Sequence, residues 1–274
     1  MLPKNIQLSK ITYGTPRALD NGGKVIYVGI ENKPLILQTP EMTAPFGLSK
    51  WSADSKGPDK YTLELSFKGR ETRPNIDTFY HFAQDLDRKL VGDAMDNSMA
   101  WLKKKFTSRE VLEALYTPML KFAKDKTTGE ITDKYPPTFR LTLPNKDGRI
   151  AVDAYDANRE PIDLSSLELK GARVTAIVQC MGIWIAGGKF GCSWKAIQLK
   201  VLPQASIRGF AFRDVEGEGG DLPPAEPAPV PAYGRSRTAP QPLLQERADV
   251  RDALDDEVYV PTSEDDAGSD GGRP

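Results

Sequence analysis

Residues 60–68 (KYTLELSFK) alternate without a break. Tyr61, Leu63, Leu65 and Phe67 fall on one side; Thr62, Glu64, Ser66 and Lys68 fall on the other. That period of two predicts a half-buried strand. Residues 138–143 repeat the pattern, with Phe139, Leu141 and Leu143 against Thr138, Arg140 and Thr142. Upstream, 24–30 (KVIYVGI) and 34–39 (PLILQT) are short apolar runs separated by Glu31-Asn32-Lys33, which predicts two strands and a turn. Asn145-Lys146-Asp147-Gly148 predicts a tight turn into a strand over 149–155. The two longest β patterns are 172–186 and 192–202, joined by Gly187-Gly188-Lys189-Phe190-Gly191. No internal repeat is visible.

Between 75 and about 125 the period changes. Ile76, Phe79, Phe82, Ala83, Leu86, Leu90 and Val91 recur at steps of three and four, which predicts an amphipathic helix with Asn75 as its N-cap. Thr107-Ser108-Arg109-Glu110 has capping-box spacing and predicts a second helix carrying Val111, Leu112 and Leu115. Pro118, or the lysine-rich turn at 124–129, is expected to end it. The body therefore reads as mainly β with one helical insertion.

From 215 the composition shifts. Residues 215–244 are rich in glycine and proline and cannot bury enough apolar area to offset ordering, so they predict an extended linker. Residues 245–274 predict a disordered acidic tail holding Asp255, Asp256, Glu257, Tyr259, Glu264, Asp265 and Asp266. The expected organisation is a body at 1–214, a linker at 215–244 and a tail at 245–274. The tail carries ten acids and three arginines, net −7, and 216–244 carries four acids and two arginines, net −2. Since the whole chain of 274 residues is −1, residues 1–215 carry +8. A basic body with an acidic tail suits an anionic partner and a tail able to compete with it.

Candidate chemistry is sparse. No nucleophile elbow or phosphate-binding loop is present; Gly187-Gly188-Lys189 lacks the spacing. The single histidine, His81, sits within the predicted helix, and no CxxC or HxxxH spacing exists, so no metal or cofactor is expected. Asp85, Asp87, Asp93 and Asp96 read as a solvated helix face; their enzymatic alternative is a nuclease-type carboxylate pair with Mg²⁺. Cys180 and Cys192 fit a reducing compartment, and pairing between them is neither required nor forbidden. No apolar run approaches the roughly 20 residues that span a bilayer, and the first residues lack an apolar signal core. The expectation is a non-catalytic, soluble, intracellular protein.

The last predicted hairpin is different. On strict alternation Ile197, Leu199 and Val201 point into the core, with Ser193 and Lys195 on the same side. The opposite face then presents Trp194, Ala196, Gln198 and Lys200. An aromatic, an amide and an ammonium together form a surface on which bases stack and phosphates are neutralised. Lys189 and Phe190 lie in the glycine-rich turn, and Trp184 extends the platform from the partner strand. The same residues also fit an ordinary packed hairpin.

The string IVQCMGIWIAGGKFGCSWKAIQLKV resembles the final hairpin of a protein family encoded by large nucleocytoplasmic DNA viruses of algae and protists, itself similar to the phage T-seven-type single-stranded-DNA-binding protein. The resemblance covers roughly 1–210 and is most specific over 177–200. It implies an OB-fold, a closed or partly open β-barrel. It implies sequence-independent binding of single-stranded DNA in viral replication, recombination or repair, at the host nucleus or a cytoplasmic viral replication site. The residues expected to bind are Trp194, Phe190, Lys189, Lys195, Lys200, Gln198, Trp184 and Arg140. It further implies an acidic tail that contacts polymerase and helicase partners; a homodimer is compatible with it. The phage-type tail ends in an aromatic residue, whereas this chain ends in Gly271-Gly272-Arg273-Pro274 with Tyr259 set well back. The alternative function is a virion-associated or structural protein-interaction module.

Overall fold

A computed structural model describes residues 1–20, 22–51, 59–125, 127–146 and 148–203. The expected linker and acidic tail, 215–274, lie outside the described residues. The barrel strands are β1 (Ile36–Gln38), β2 (Met42–Thr43), β3 (Leu48–Trp51), β4 (Lys60–Ser66), β5 (Thr138–Leu143), β6 (Arg173–Ala186) and β7 (Lys189–Leu202). The helices are α1 (Pro74–Asp96), α2 (Ser98–Leu102) and α3 (Arg109–Leu115).

β1, β2 and β3 act as one curled strand. Its first part runs antiparallel to β6, pairing Leu37 with Val178 and Met42 with Val174. Its last part runs antiparallel to β4, pairing Ser49 with Thr62. Gly47 sits at the curl with φ +68°, and a Cβ there would lie 2.8 Å from the Lys170 backbone nitrogen. β4 pairs antiparallel with β5, and β5 meets β7 in parallel at Thr142 and Lys195. β7 returns antiparallel to β6 and so closes a ring. Counted as five strands, the ring order is first, second, third, fifth, fourth and back to the first. This is an OB-type barrel, the fold that the hairpin resemblance implies.

The interior is filled by the inward halves of these strands. Leu37, Met42, Leu63, Leu65, Phe139, Leu141, Val174, Val178, Trp194, Leu199 and Val201 are all buried in one cluster. The helical insertion joins the second and third barrel strands and belongs to the same cluster through Ile76, Phe79, Ala83, Leu86 and Leu90. Phe79 lies 5.5 Å from Phe67 and 5.4 Å from Phe139, and Phe139 meets Trp194 edge-on at 5.9 Å. Four rings thus run from the helix into the barrel, each adding edge-to-face or tilted contacts to the burial itself.

Several local predictions shift. Pro74 occupies the first turn of α1 and Arg73 is its N-cap, so Asn75 is already inside the helix. Proline suits that place because its missing N–H would have no partner there. Ser108, not Thr107, caps α3; its Oγ accepts from the Val111 N–H at 3.4 Å. Residues 24–30 split into Lys24–Ile26, which pairs with β6, and Val28–Ile30, which pairs with Ile11–Tyr13. The β6–β7 turn is only Gly187-Gly188, with φ +57° and +78°. Two consecutive positive φ values make a primed hairpin turn, which is why both positions are glycine. Lys189 and Phe190 are consequently strand residues, not turn residues.

Candidate functional site

The inward pattern of β4 and β5 dictates what faces out. Ser66 lies opposite Thr138, Glu64 opposite Arg140, and Thr62 opposite Thr142. Ser49 of β3 lies opposite Thr62, and Trp51 opposite Lys60, which extends the outward rows sideways. Leu120–Lys121, a short strand after α3, pairs with β5 and brings Lys121 to the same face. At its centre the Glu64 carboxylate accepts from Lys121 Nζ at 3.2 Å, from Arg140 Nε at 3.2 Å and from Thr138 Oγ1 at 2.8 Å. Burial works to raise the Glu64 carboxyl, but Lys121, Thr138 and Arg140 outweigh it and hold the group below the usual carboxylate range. One carboxylate thus orients two cations, leaving an excess of positive charge.

The hairpin residues distribute differently from the prediction. Trp194 is 2% exposed and packs on Phe139, so its indole is a core ring that presents no face to a ligand. Phe190 is fully buried, 5.1 Å from Tyr116. The physical reason is a bulge. Ile177 pairs with Gln198 but Val178 pairs with Ala196, so Ile197 is an extra residue in β7. An extra residue inverts the alternation on one side of it. Leu199 and Val201 do point inward as expected, whereas Ile197 is partly exposed, and Trp194 and Ala196 turn inward with them. Trp184 is also buried, in a separate cluster with Val25 and Met181. It lies over Gly191, where a Cβ would sit 2.8 Å from the Trp184 ring.

The predicted polar residues are not all brought together. Lys195 faces outward beside Thr142, next to the β4–β5 face, although its side chain is buried. Arg140 is in the face itself. Lys189 is exposed at the hairpin tip. Gln198 and Lys200 lie farther along β7, opposite Asp153 and Tyr155 of a parallel edge strand.

Sequence reasoning missed both ends of the face. Trp51 is 38% exposed, with the Lys60 ammonium 5.4 Å from its ring centroid. Tyr135 is 60% exposed, with Lys134 Nζ 5.5 Å from its ring. Pro137, two residues on, accepts from the Phe67 N–H at 3.0 Å and so continues the β4–β5 ladder. An aromatic next to a lysine in each stretch was the available signal; neither stretch had a repeating pattern to draw attention.

The helix aspartates have structural partners. Asp85 pairs with Arg88 at 2.7 Å, and Asp93 pairs with Lys89 at 2.8 Å and accepts from the Tyr13 hydroxyl. Asp87 is half-buried and accepts from Tyr116 Oη at 2.6 Å and the Met119 N–H at 3.1 Å. Burial pushes its carboxyl up to about 6, against the lowering effect of those hydrogen bonds. It borders a cavity of about 490 Å³ lined also by Arg88, Arg109, Tyr116 and Phe122. His81 lies on the helix surface beside Asp77, 3.4 Å away. Cys180 and Cys192 are free thiols 3.3 Å apart. Among the described residues no group of His, Cys, Asp or Glu is arranged to hold a metal ion, and no helix is long and apolar enough to cross a membrane.

No curated protein matches the chain by sequence. Three solved structures are similar in layout at low identity. The single-stranded DNA-binding protein gp2.5 of bacteriophage T7 is 9% identical, with a TM-score of 0.38 over 66% of this chain and 98% of that one. The single-stranded DNA-binding protein of bacteriophage Enc34, solved in complex with ssDNA, is 10% identical, with a TM-score of 0.37 over 71% and 98%. The same Enc34 protein in another structure is 8% identical, with a TM-score of 0.35 over 74% and 96%. A protein-family model matches residues 73–214, just over half of the chain, from the start of the insertion through β7. The chain therefore belongs to the family of unknown function DUF5871.

Proposed function

We propose that the chain binds single-stranded DNA, without sequence preference, across the outward face of β4 and β5. One observation carries this reading: an OB-type barrel whose second and third strands, with the adjoining Leu120–Lys121 strand, display Lys121 and Arg140 on the Glu64 carboxylate and Lys60 at the end of the same face. In OB-folds the face of strands two and three, with its adjoining loops, is where oligonucleotides lie. The +8 charge of residues 1–215 favours a polyanion, and Ser49, Thr62 and Thr142 offer hydrogen bonds to phosphate. Lys189 and Lys195 flank the face, and Lys200 with Gln198 would extend contacts along β7. The hairpin resemblance extends the proposal to a viral setting of replication, recombination or repair.

The acidic residues Asp255, Asp256, Glu257, Glu264, Asp265 and Asp266, with Tyr259, are proposed to contact replication partners such as polymerase or helicase, or to weaken DNA binding by charge competition.

A titration of labelled oligo-dT against a duplex of equal length, at several salt concentrations, tests the DNA proposal. The expected result is preference for the single strand, with an affinity that falls steeply as salt rises. Lys60→Ala and Lys189→Ala should each flatten the salt slope by about one counterion. Equal or stronger binding to duplex, or no binding at low salt, would remove the reading.

A further inference from the structure

The described part of the body exposes few large aromatic side chains: Phe46, Trp51 and Tyr135. Phe46 lies at the curl between β2 and β3. The other two share an arrangement and a setting. Each has a lysine ammonium over its ring, at 5.4 Å for Trp51 and 5.5 Å for Tyr135. Each stands at an end of the β4–β5 ladder: Trp51 beside Lys60, the first residue of β4, and Tyr135 just beyond the Phe67–Pro137 rung. From Lys60 to Ser66 the ladder rises six residues, or roughly 20 Å at about 3.3 Å each. The cations held by Glu64 lie between the two rings.

We infer that Trp51–Lys60 and Tyr135–Lys134 are two base-stacking stations at opposite ends of one binding path, which must both be occupied for full affinity. The inference rests on the proposed binding of single strands to this face. An exposed ring stacks on any base, and a lysine beside it neutralises the phosphate that the stacked nucleotide brings. The middle of the path offers cations and hydroxyls but no exposed ring, so it holds backbone and not bases. Paired bases cannot reach either ring, which gives the path its selectivity for single strands. At the stacked rise of about 3.4 Å per nucleotide the ladder would span roughly six nucleotides, and a strand unstacked along its middle spans it with fewer. Tyr135 belongs to the insertion between the second and third barrel strands, so the insertion supplies half of the stacking surface.

The test uses the full chain, oligo-dT of increasing length from four to sixteen nucleotides, and the variants Trp51→Ala, Tyr135→Ala and the double variant. Wild-type affinity should climb sharply once the oligonucleotide is long enough to reach both rings, at a length of up to roughly six nucleotides. Each single variant should lose that climb, with affinity for long oligonucleotides reduced on the order of tenfold, and an unchanged salt slope. Both side chains are exposed, so the unfolding midpoint should stay at the wild-type value, which separates lost stacking from lost fold. Trp101, Trp184 and Trp194 are buried. Quenching of tryptophan fluorescence by oligo-dT should therefore vanish in Trp51→Phe. Wild-type affinity in both single variants at every length would overturn the inference, as would an effect confined to one of them. Failure of the wild type itself to bind oligo-dT would instead overturn the underlying DNA reading.

Discussion

Replacing Trp194 separates the core assignment of its indole from a ligand-binding one. A tryptophan side chain buries about 150–250 Å². At about 25 cal/mol per Å² that is roughly 4–6 kcal/mol of hydrophobic stabilisation. Trp194→Ala also leaves a void beneath Phe139, and such substitutions cost about 3–5 kcal/mol. A domain stable by roughly 5–15 kcal/mol would retain little reserve, so that variant unfolds too readily to be informative alone. Trp194→Phe is the sharper probe. It keeps a ring against Phe139 and should cost on the order of 1–2 kcal/mol, or roughly 2–8 °C in the unfolding midpoint. Urea denaturation measures the loss, and oligo-dT titration well below the midpoint measures binding. The expected outcome is a lower urea midpoint with wild-type affinity. A variant with wild-type stability and tenfold weaker DNA binding would refute the placement of Trp194 in the core.

Three further outcomes are expected. Gly182 has φ +118°, and a Cβ there would lie 2.4 Å from the Ile26 carbonyl oxygen, so Gly182→Ala should lower the unfolding free energy by roughly 3 kcal/mol or more in chemical denaturation. Asp87 holds its proton more tightly folded than unfolded, with its carboxyl raised to about 6 from the usual 3.8; stability contributed by the protonated form should be present below about pH 4 and lost as pH rises to about 6, by up to about 3 kcal/mol. Asp87→Asn should abolish that part of the pH profile, and an identical profile in wild type and variant would contradict it. Deleting residues 216–274 should tighten binding to oligo-dT at low salt and less so at high salt, as read by fluorescence anisotropy; unchanged low-salt affinity would remove the competition idea.

The barrel strands were legible where one face is wet. In 60–68 and 138–143 each residue's side follows directly from its polarity, and the structure pairs Leu63 with Leu141 and Glu64 with Arg140. α1 was equally legible, because a stripe at Ile76, Phe79, Ala83 and Leu86 has no β reading. The hairpin was not, since both faces of β7 carry apolar residues and alternation alone cannot reveal an unpaired Ile197. The Glu64 cluster was invisible for another reason: Lys121, Thr138 and Arg140 come from far along the chain, and only the β4–β5 register assembles them. Trp51 escaped because β3 is too short and too polar, LSKW, to show a period.

The extra residue at 197 gives β7 an unusual mutational asymmetry. Most length changes are tolerated on a protein's surface, because a loop can absorb them. Removing Ile197 would instead close this bulge, leave the one at Met181 in β6, and rotate everything from Lys189 to Ala196 by half a turn. Trp194 and Phe190 would be expelled into water, and Lys195 and Ser193 driven among the core leucines. A one-codon deletion at a partly exposed position would thereby be as damaging as several core substitutions made together. Deletion scanning across 187–202 should show a loss of soluble protein at the partly exposed position 197 as severe as at the buried positions Trp194 and Leu199.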